Sequence, residues 1–279
     1  MKFGIDTRIY NHLDVINALN RLYLRNVKVI ELSTRHVREI INKDLTCKVS
    51  KLVKDLNLNI IQIHAPQEEY ENELAALDSN VRDKCIEKFK RWLELCYKVE
   101  CEVLVTHLPY SKALPNEDTL NYTLRLEKCS LDAVEKIARM AMNFNVEIAI
   151  ENRLESVFGS KPQDLVKILK KCSTDNVGIC VDTGHARVNG YEPAEFIEVV
   201  SNYIIATHIH DNDGEEDKHY PPFMGCINWD KVLKVLAEIN YSRGFILEVS
   251  SISENTSDNI VTYCNLVLEY FRNVLAKFK

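Results

Sequence analysis

Apolar residues either run unbroken or alternate with polar ones in eight short stretches: residues 3–9, 27–32, 60–64, 103–107, 146–151, 177–182, 204–208 and 245–249. Stretches of this length predict strands, and the unbroken ones predict strands buried on both faces. Between them the apolar positions recur every three to four residues. That spacing predicts helices over 14–25, 81–99, 124–142, 162–171, 193–200, 229–239 and 258–278. Another helix is expected over 48–56, with 34–46 before it read as a loop or an extra turn. Pro162 and Pro193 suit a first helical turn, and Asp78-Ser79 can cap the helix that follows.

Strict alternation of strand and helix favours a parallel sheet. Eight such units, in a chain of 279 residues, match a (β/α)8 TIM barrel, a fold of about 250 residues. One α/β domain spanning 1–279 is the simplest account. No strand is followed by Gly-x-Gly-x-x-Gly, which disfavours a dinucleotide fold.

The ends of the strands carry the chemistry. Strands three to eight finish on His64, His107, Glu151, Asp182, His208 and Glu248. In a barrel those ends share the one face where active sites are built. A single polar strand end is commonly a hydrogen-bonded core group. Six in register would bury uncompensated charge, and a divalent cation resolves that cost. Zinc, manganese, cobalt or magnesium, one to three per chain, is the expected cofactor. The loop after strand seven, Thr207 to His219, packs three histidines and five acids into thirteen residues. It offers Asp217 and His219, while His185 follows strand six. His210 is expected just outside the ligand ring, and His12 and His36 are set aside.

Glu151 and Glu248 stand on non-adjacent strands and could take and return a proton, with the cation polarising the neighbouring oxygens. Two or three cations could instead activate water and clamp a phosphodiester. Arg8, Arg153, Arg187 and Lys218 lie near these residues in sequence and could hold a phosphate or carboxylate; solvent-facing loop charge is the plainer reading of each.

Composition narrows the partners. The formal net charge of −6 gives no general basic field for nucleic acid. No window approaches a membrane span, and the first residues lack the apolar core of a signal peptide. Nine cysteines without a Cys-x-x-Cys pair read as reduced thiols in a cytoplasmic protein.

Taken together, His64, His107, Glu151-Asn152, Asp182-Thr-Gly-His185, His208, Asp217-Lys-His219 and Glu248 resemble the xylose isomerase-like TIM-barrel superfamily. That resemblance implies either of two activities. In ketose 3-epimerase-like members one metal is held by residues matching Glu151, Asp182, His208 and Glu248; the two glutamates move the proton, and the match to His185 contacts substrate. In endonuclease IV three zinc ions use nine ligands, matched here by His64, His107, Glu151, Asp182, His185, His208, Asp217, His219 and Glu248. The acidic stretch from Pro66 to Glu73 opposes a DNA grip. Asp-Thr-Gly-His stands where the nuclease has Asp-Thr-Cys-His, and Met224-Gly225-Cys226 stands where Gly-x-Gly is expected. The expectation is therefore a metal-dependent isomerase or epimerase of a small-molecule sugar or sugar phosphate. An endonuclease IV-like phosphodiesterase acting on abasic-site DNA is the first alternative, and a non-catalytic metal-binding barrel the second.

Overall fold

The computed structural model describes residues 1–251 and 253–278. Eight parallel strands close into a barrel in sequence order. They are β1 (Lys2–Asp6), β2 (Val29–Leu32), β3 (Asn59–His64), β4 (Val103–His107), β5 (Glu147–Glu151), β6 (Val177–Asp182), β7 (Ile204–Ile209) and β8 (Gly244–Leu247). The helices are α1 (Val15–Leu24), α2 (Thr34–Asn42), α3 (Thr46–Asp55), α4 (Glu71–Leu74), α5 (Ser79–Glu87), α6 (Phe89–Val99), α7 (Thr119–Met142), α8 (Pro162–Lys171), α9 (Thr183–Val188), α10 (Pro193–Val200), α11 (Trp229–Glu238) and α12 (Ser257–Ala276). Among the described residues no helix is long and apolar enough to cross a membrane.

Local chemistry explains the boundaries. Asp14, Asp118 and Asn228 accept backbone N–H groups of α1, α7 and α11, and Pro162 and Pro193 open α8 and α10. Four expectations need correction. The first strand stops at Asp6, because the Asp6 carboxylate accepts the Arg8 N–H and turns Thr7–Tyr10 into a 3-10 helix. Residues 34–46 hold a full helix, α2, which buries His36, Val37 and Ile40 on one face. The helix expected over 81–99 is two, interrupted at Lys88, whose N–H turns back to Cys85 O. The last strand ends at Leu247, so Glu248 follows it, still tied by its N–H to Ile209 O.

Side-chain alternation splits the apolar interior in two. Leu104, Ile148, Ile150, Ile179, Val181, Ile209 and Leu247 point outward into the layer between strands and helices. Val103, Val105, Ala149, Cys180 and Ala206 point inward and fill the lower lumen. A parallel barrel needs both.

Candidate metal centre

Two residues further along the same strands the lumen turns polar. His107 stands above Val105, Glu151 above Ala149, Asp182 above Cys180 and His208 above Ala206. Register holds these ends level: His107 pairs with Glu151, and Asp182 with His208. All four are buried or nearly so, as are His64, His185, His219 and Glu248.

Glu151, Asp182, His208 and Glu248 each offer one ligand atom, all within 4.8 Å of one another. His208 Nδ1 is 3.0 Å from Glu151 Oε1, 3.5 Å from Glu248 Oε2 and 3.9 Å from Asp182 Oδ2. The second Glu151 oxygen faces His64 Nε2 at 2.9 Å and His107 Nε2 at 2.8 Å, and these three form another potential ligand set. On the far side Asp217 Oδ2 lies 3.4 Å from His185 Nε2 and 2.9 Å from His219 Nε2.

Whether a cation suits this donor set can be judged from the outer ring nitrogens. His64 Nδ1 is 2.9 Å from Ala65 O, His185 Nδ1 2.9 Å from Asn152 O, and His219 Nδ1 2.9 Å from Glu248 O. A carbonyl can only accept, so each Nδ1 carries a proton and each Nε2 is the nitrogen that can offer a cation its lone pair. His107 Nδ1 is likewise 3.0 Å from Glu71 Oε1. Outer nitrogens held this way are the usual mark of metal-ligating histidine. The residues therefore fit a divalent cation.

Without one, protons do the compensating. Burial opposes charge on His107, yet Glu151 and Glu71 push it up to about 9. Burial likewise opposes charge on His185 and His208, but neighbouring acids raise both well above the imidazole range. Burial would raise Glu248, but His208, His219 and Arg8 hold it at about 2. Glu151 is held well below the carboxylate range by His208 and His107, against its own burial.

Several participants escaped the sequence reading. Glu31 and Asp6, both fully buried, stand paired in β2 and β1. Burial pushes both carboxyls up; next to burial, Glu31 adds to the rise at Asp6, and His208 opposes the rise at Glu31. An acid inside an apolar strand was the available signal. His210, expected outside the ring, is fully buried with Nε2 3.0 Å from Asp182 Oδ2, and it joins two further ligand sets. It also accounts for Gly184: a Cβ there would sit 1.9 Å from His210 Cε1. Gly225 is required too, since its Cβ would lie 2.2 Å from Asn212 O, whereas Met224 beside it is exposed.

A cavity of about 430 Å³ opens onto the cluster, lined by Arg8, His64, Glu68, Glu71, His107, Tyr110, Glu151, Arg153, Glu155, His185, Asp217, His219 and Glu248 among others. Of the four candidate cations only Arg8 and Arg153 reach it. Arg153 is buried and saturated, bonded to Glu71, Glu155 and Leu108 O. Arg187 contacts Cys226, and Lys218 pairs with Asp213 and Glu216, both away from the cavity lining.

A family model described as xylose isomerase-like TIM barrel matches residues 26–262. An uncharacterised protein of Methanocaldococcus jannaschii is 27% identical over 91% of this chain and 85% of its own length. Two relatives have named activities. A D-psicose 3-epimerase of Ruminiclostridium cellulolyticum is 24% identical, covering 66% of this chain and 61% of its own length. A probable endonuclease 4 of Mycoplasma capricolum is 25% identical, covering 64% of each. The solved structure of a D-tagatose 3-epimerase-like protein superposes with a TM-score of 0.83, at 24% identity and 99% coverage of both chains.

Proposed function

The chain belongs to the xylose isomerase-like TIM barrel family, and from that premise we propose that it is a divalent-metal-dependent isomerase or epimerase of an unphosphorylated sugar. The observation that carries this reading is the pair Glu151 and Glu248. Both are buried, stand at the ends of non-adjacent strands and share one four-ligand set.

Glu151, Asp182, His208 and Glu248 would hold the cation. Bound there, it would polarise the carbonyl and hydroxyl oxygens of the sugar. The remaining work falls to the chain. One glutamate takes the proton from the carbon beside the carbonyl, and the other returns it from another side. Arg8, with Nη1 3.6 Å from Glu248 Oε1 and Nε bonded to Ser250, steadies that carboxylate. His185, at the cavity wall, contacts substrate. A phosphate is disfavoured by charge: Glu68, Glu71, Glu151, Glu155, Asp217 and Glu248 line the cavity against two arginines, one already saturated. The nine free cysteines suit a reducing, cytoplasmic setting.

The test is exchange of substrate hydrogen with deuterium oxide, across a panel of free ketoses and their phosphates, with Mn²⁺, Co²⁺ or Zn²⁺ supplied. Deuterium incorporation with formation of an epimer or isomer is expected for a free sugar, and its loss in Glu248→Gln. No exchange with any panel member by the metal-loaded protein overturns the reading.

A second reading draws on the separate His64–His107–Glu151 set and on Asp217 between His185 and His219. Three cations in those places would serve a phosphodiesterase acting on abasic-site DNA. The acids at the cavity mouth count against a duplex there. Metal-dependent incision of an abasic-site duplex, with about three metal equivalents per chain by elemental analysis, would favour it.

A further inference from the structure

Beneath His208 stands a carboxylate that belongs to none of the ligand sets. Glu31 is fully buried in β2, with Oε1 and Oε2 2.9 and 3.0 Å from His208 Nε2. Gln62, in β3, donates from Nε2 to Glu31 Oε2 at 3.0 Å and is itself buried. Neither side chain lines the cavity, so neither can touch a substrate. A carboxylate at that distance accepts the Nε2–H, so Nε2 keeps its proton and Nδ1 is the nitrogen that can give up its own to a cation. Nδ1 is the nitrogen aimed at Glu151, Glu248 and Asp182.

His208 therefore differs from its neighbours. His64, His185 and His219 are each held at Nδ1 by a backbone carbonyl and present Nε2. His208 is turned the other way round, and what turns it is a charged group rather than a carbonyl. A carboxylate behind a ligating imidazole fixes the ring and strengthens its donor nitrogen.

We propose that Glu31, held in place by Gln62, is the positioning residue that locks His208 with Nδ1 toward the cation. This rests on the metal-centre reading and goes beyond it, since it concerns affinity and tautomer rather than turnover. The experiment titrates Zn²⁺ into the full chain against a chromophoric chelator and records imidazole ¹⁵N shifts of His208 in the Zn²⁺-loaded form. Glu31→Gln keeps the side-chain shape but removes the charge. Affinity is expected to fall by about 10- to 100-fold, and the Nε2-protonated tautomer of His208 is expected to lose its dominance. A folded Glu31→Gln that binds Zn²⁺ like the parent and keeps that tautomer overturns the proposal alone. A parent chain that binds no Zn²⁺ overturns the metal-centre reading and the proposal together. In the Zn²⁺-loaded parent, a His208 protonated on Nδ1 overturns the proposal alone. Should Glu31→Gln not fold, Gln62→Leu decides: it frees one Glu31 oxygen, so weakened Zn²⁺ binding supports the assignment and parental affinity overturns it.

Discussion

Along β4 to β7 the lumen changes character within two residues. Val105, Ala149, Cys180 and Ala206 fill a lower layer with small apolar side chains, and His107, Glu151, Asp182 and His208 stand immediately above. Both layers are buried or nearly so, and the strands that carry them are the same. Their energetics differ in sign. Packing in the lower layer stabilises the barrel whether or not anything binds. The upper layer crowds acids at the floor of the cavity, where little water solvates them, and it becomes favourable only when protons or a cation compensate them. The lesson is that strand geometry sets where a residue goes, while two positions along the strand decide whether it serves stability or chemistry.

The contrast can be broken most severely from below. Ala206→Asp would place a carboxylate in the apolar layer, where nothing compensates it. The expected loss is about 4 kcal/mol or more of unfolding free energy, read from urea denaturation; a stable, folded variant would show that the lower layer is not apolar in effect. The complementary change is above. Glu248→Gln should lower turnover on whichever sugar proves active by about 10³-fold, while leaving the cation-free protein folded. Retention of full activity would detach Glu248 from proton transfer. Next in size is removal of the cation. Chelation should lower unfolding free energy by about 3 kcal/mol relative to protein held at a hundredfold excess over Kd. A melting temperature that ignores Mn²⁺, Co²⁺ and Zn²⁺ would mean the upper layer holds none of them.

How far these layers could be read from the sequence follows from what each strand announces locally. Val103 to His107 and Val177 to Asp182 are mostly apolar runs whose last residue is His or Asp, so both strand and candidate site residue were legible. Asp6 was hidden because Ile9 and Tyr10, beyond Thr7 and Arg8, extend the apolar pattern past the real end of β1. Glu31 sits one residue before the end of β2 and so fell outside a search of last residues. Glu71 opens α4 within an acidic stretch; only the tertiary fold aims it at His107 and Arg153. The same fold saturates Arg153 and carries Arg187 and Lys218 out of the cavity lining, which no spacing rule could show.

A buried histidine away from the upper layer gives the mildest test of the comparison. His36, in α2, is fully buried and bonded to Ser33 Oγ and Leu13 O, with burial pushing it down to about 4. His107, nearly as buried but facing Glu151 and Glu71, is pushed the opposite way, to about 9. Burial alone thus disfavours an imidazolium, and it is the acids that make one welcome. For His36 the unfolded chain binds a proton below about pH 6.5 that the folded chain refuses until about pH 4. Stability from this residue is therefore complete above that window and is lost as pH falls through it. At pH 5 the loss amounts to about 2 kcal/mol. His36→Gln should flatten that segment of the stability profile, measured by urea denaturation between pH 7 and pH 5 on metal-loaded protein. An unchanged slope in the variant would mean that His36 finds a compensating acid after all, and that burial without a carboxylate is not what separates it from the histidines of the ring.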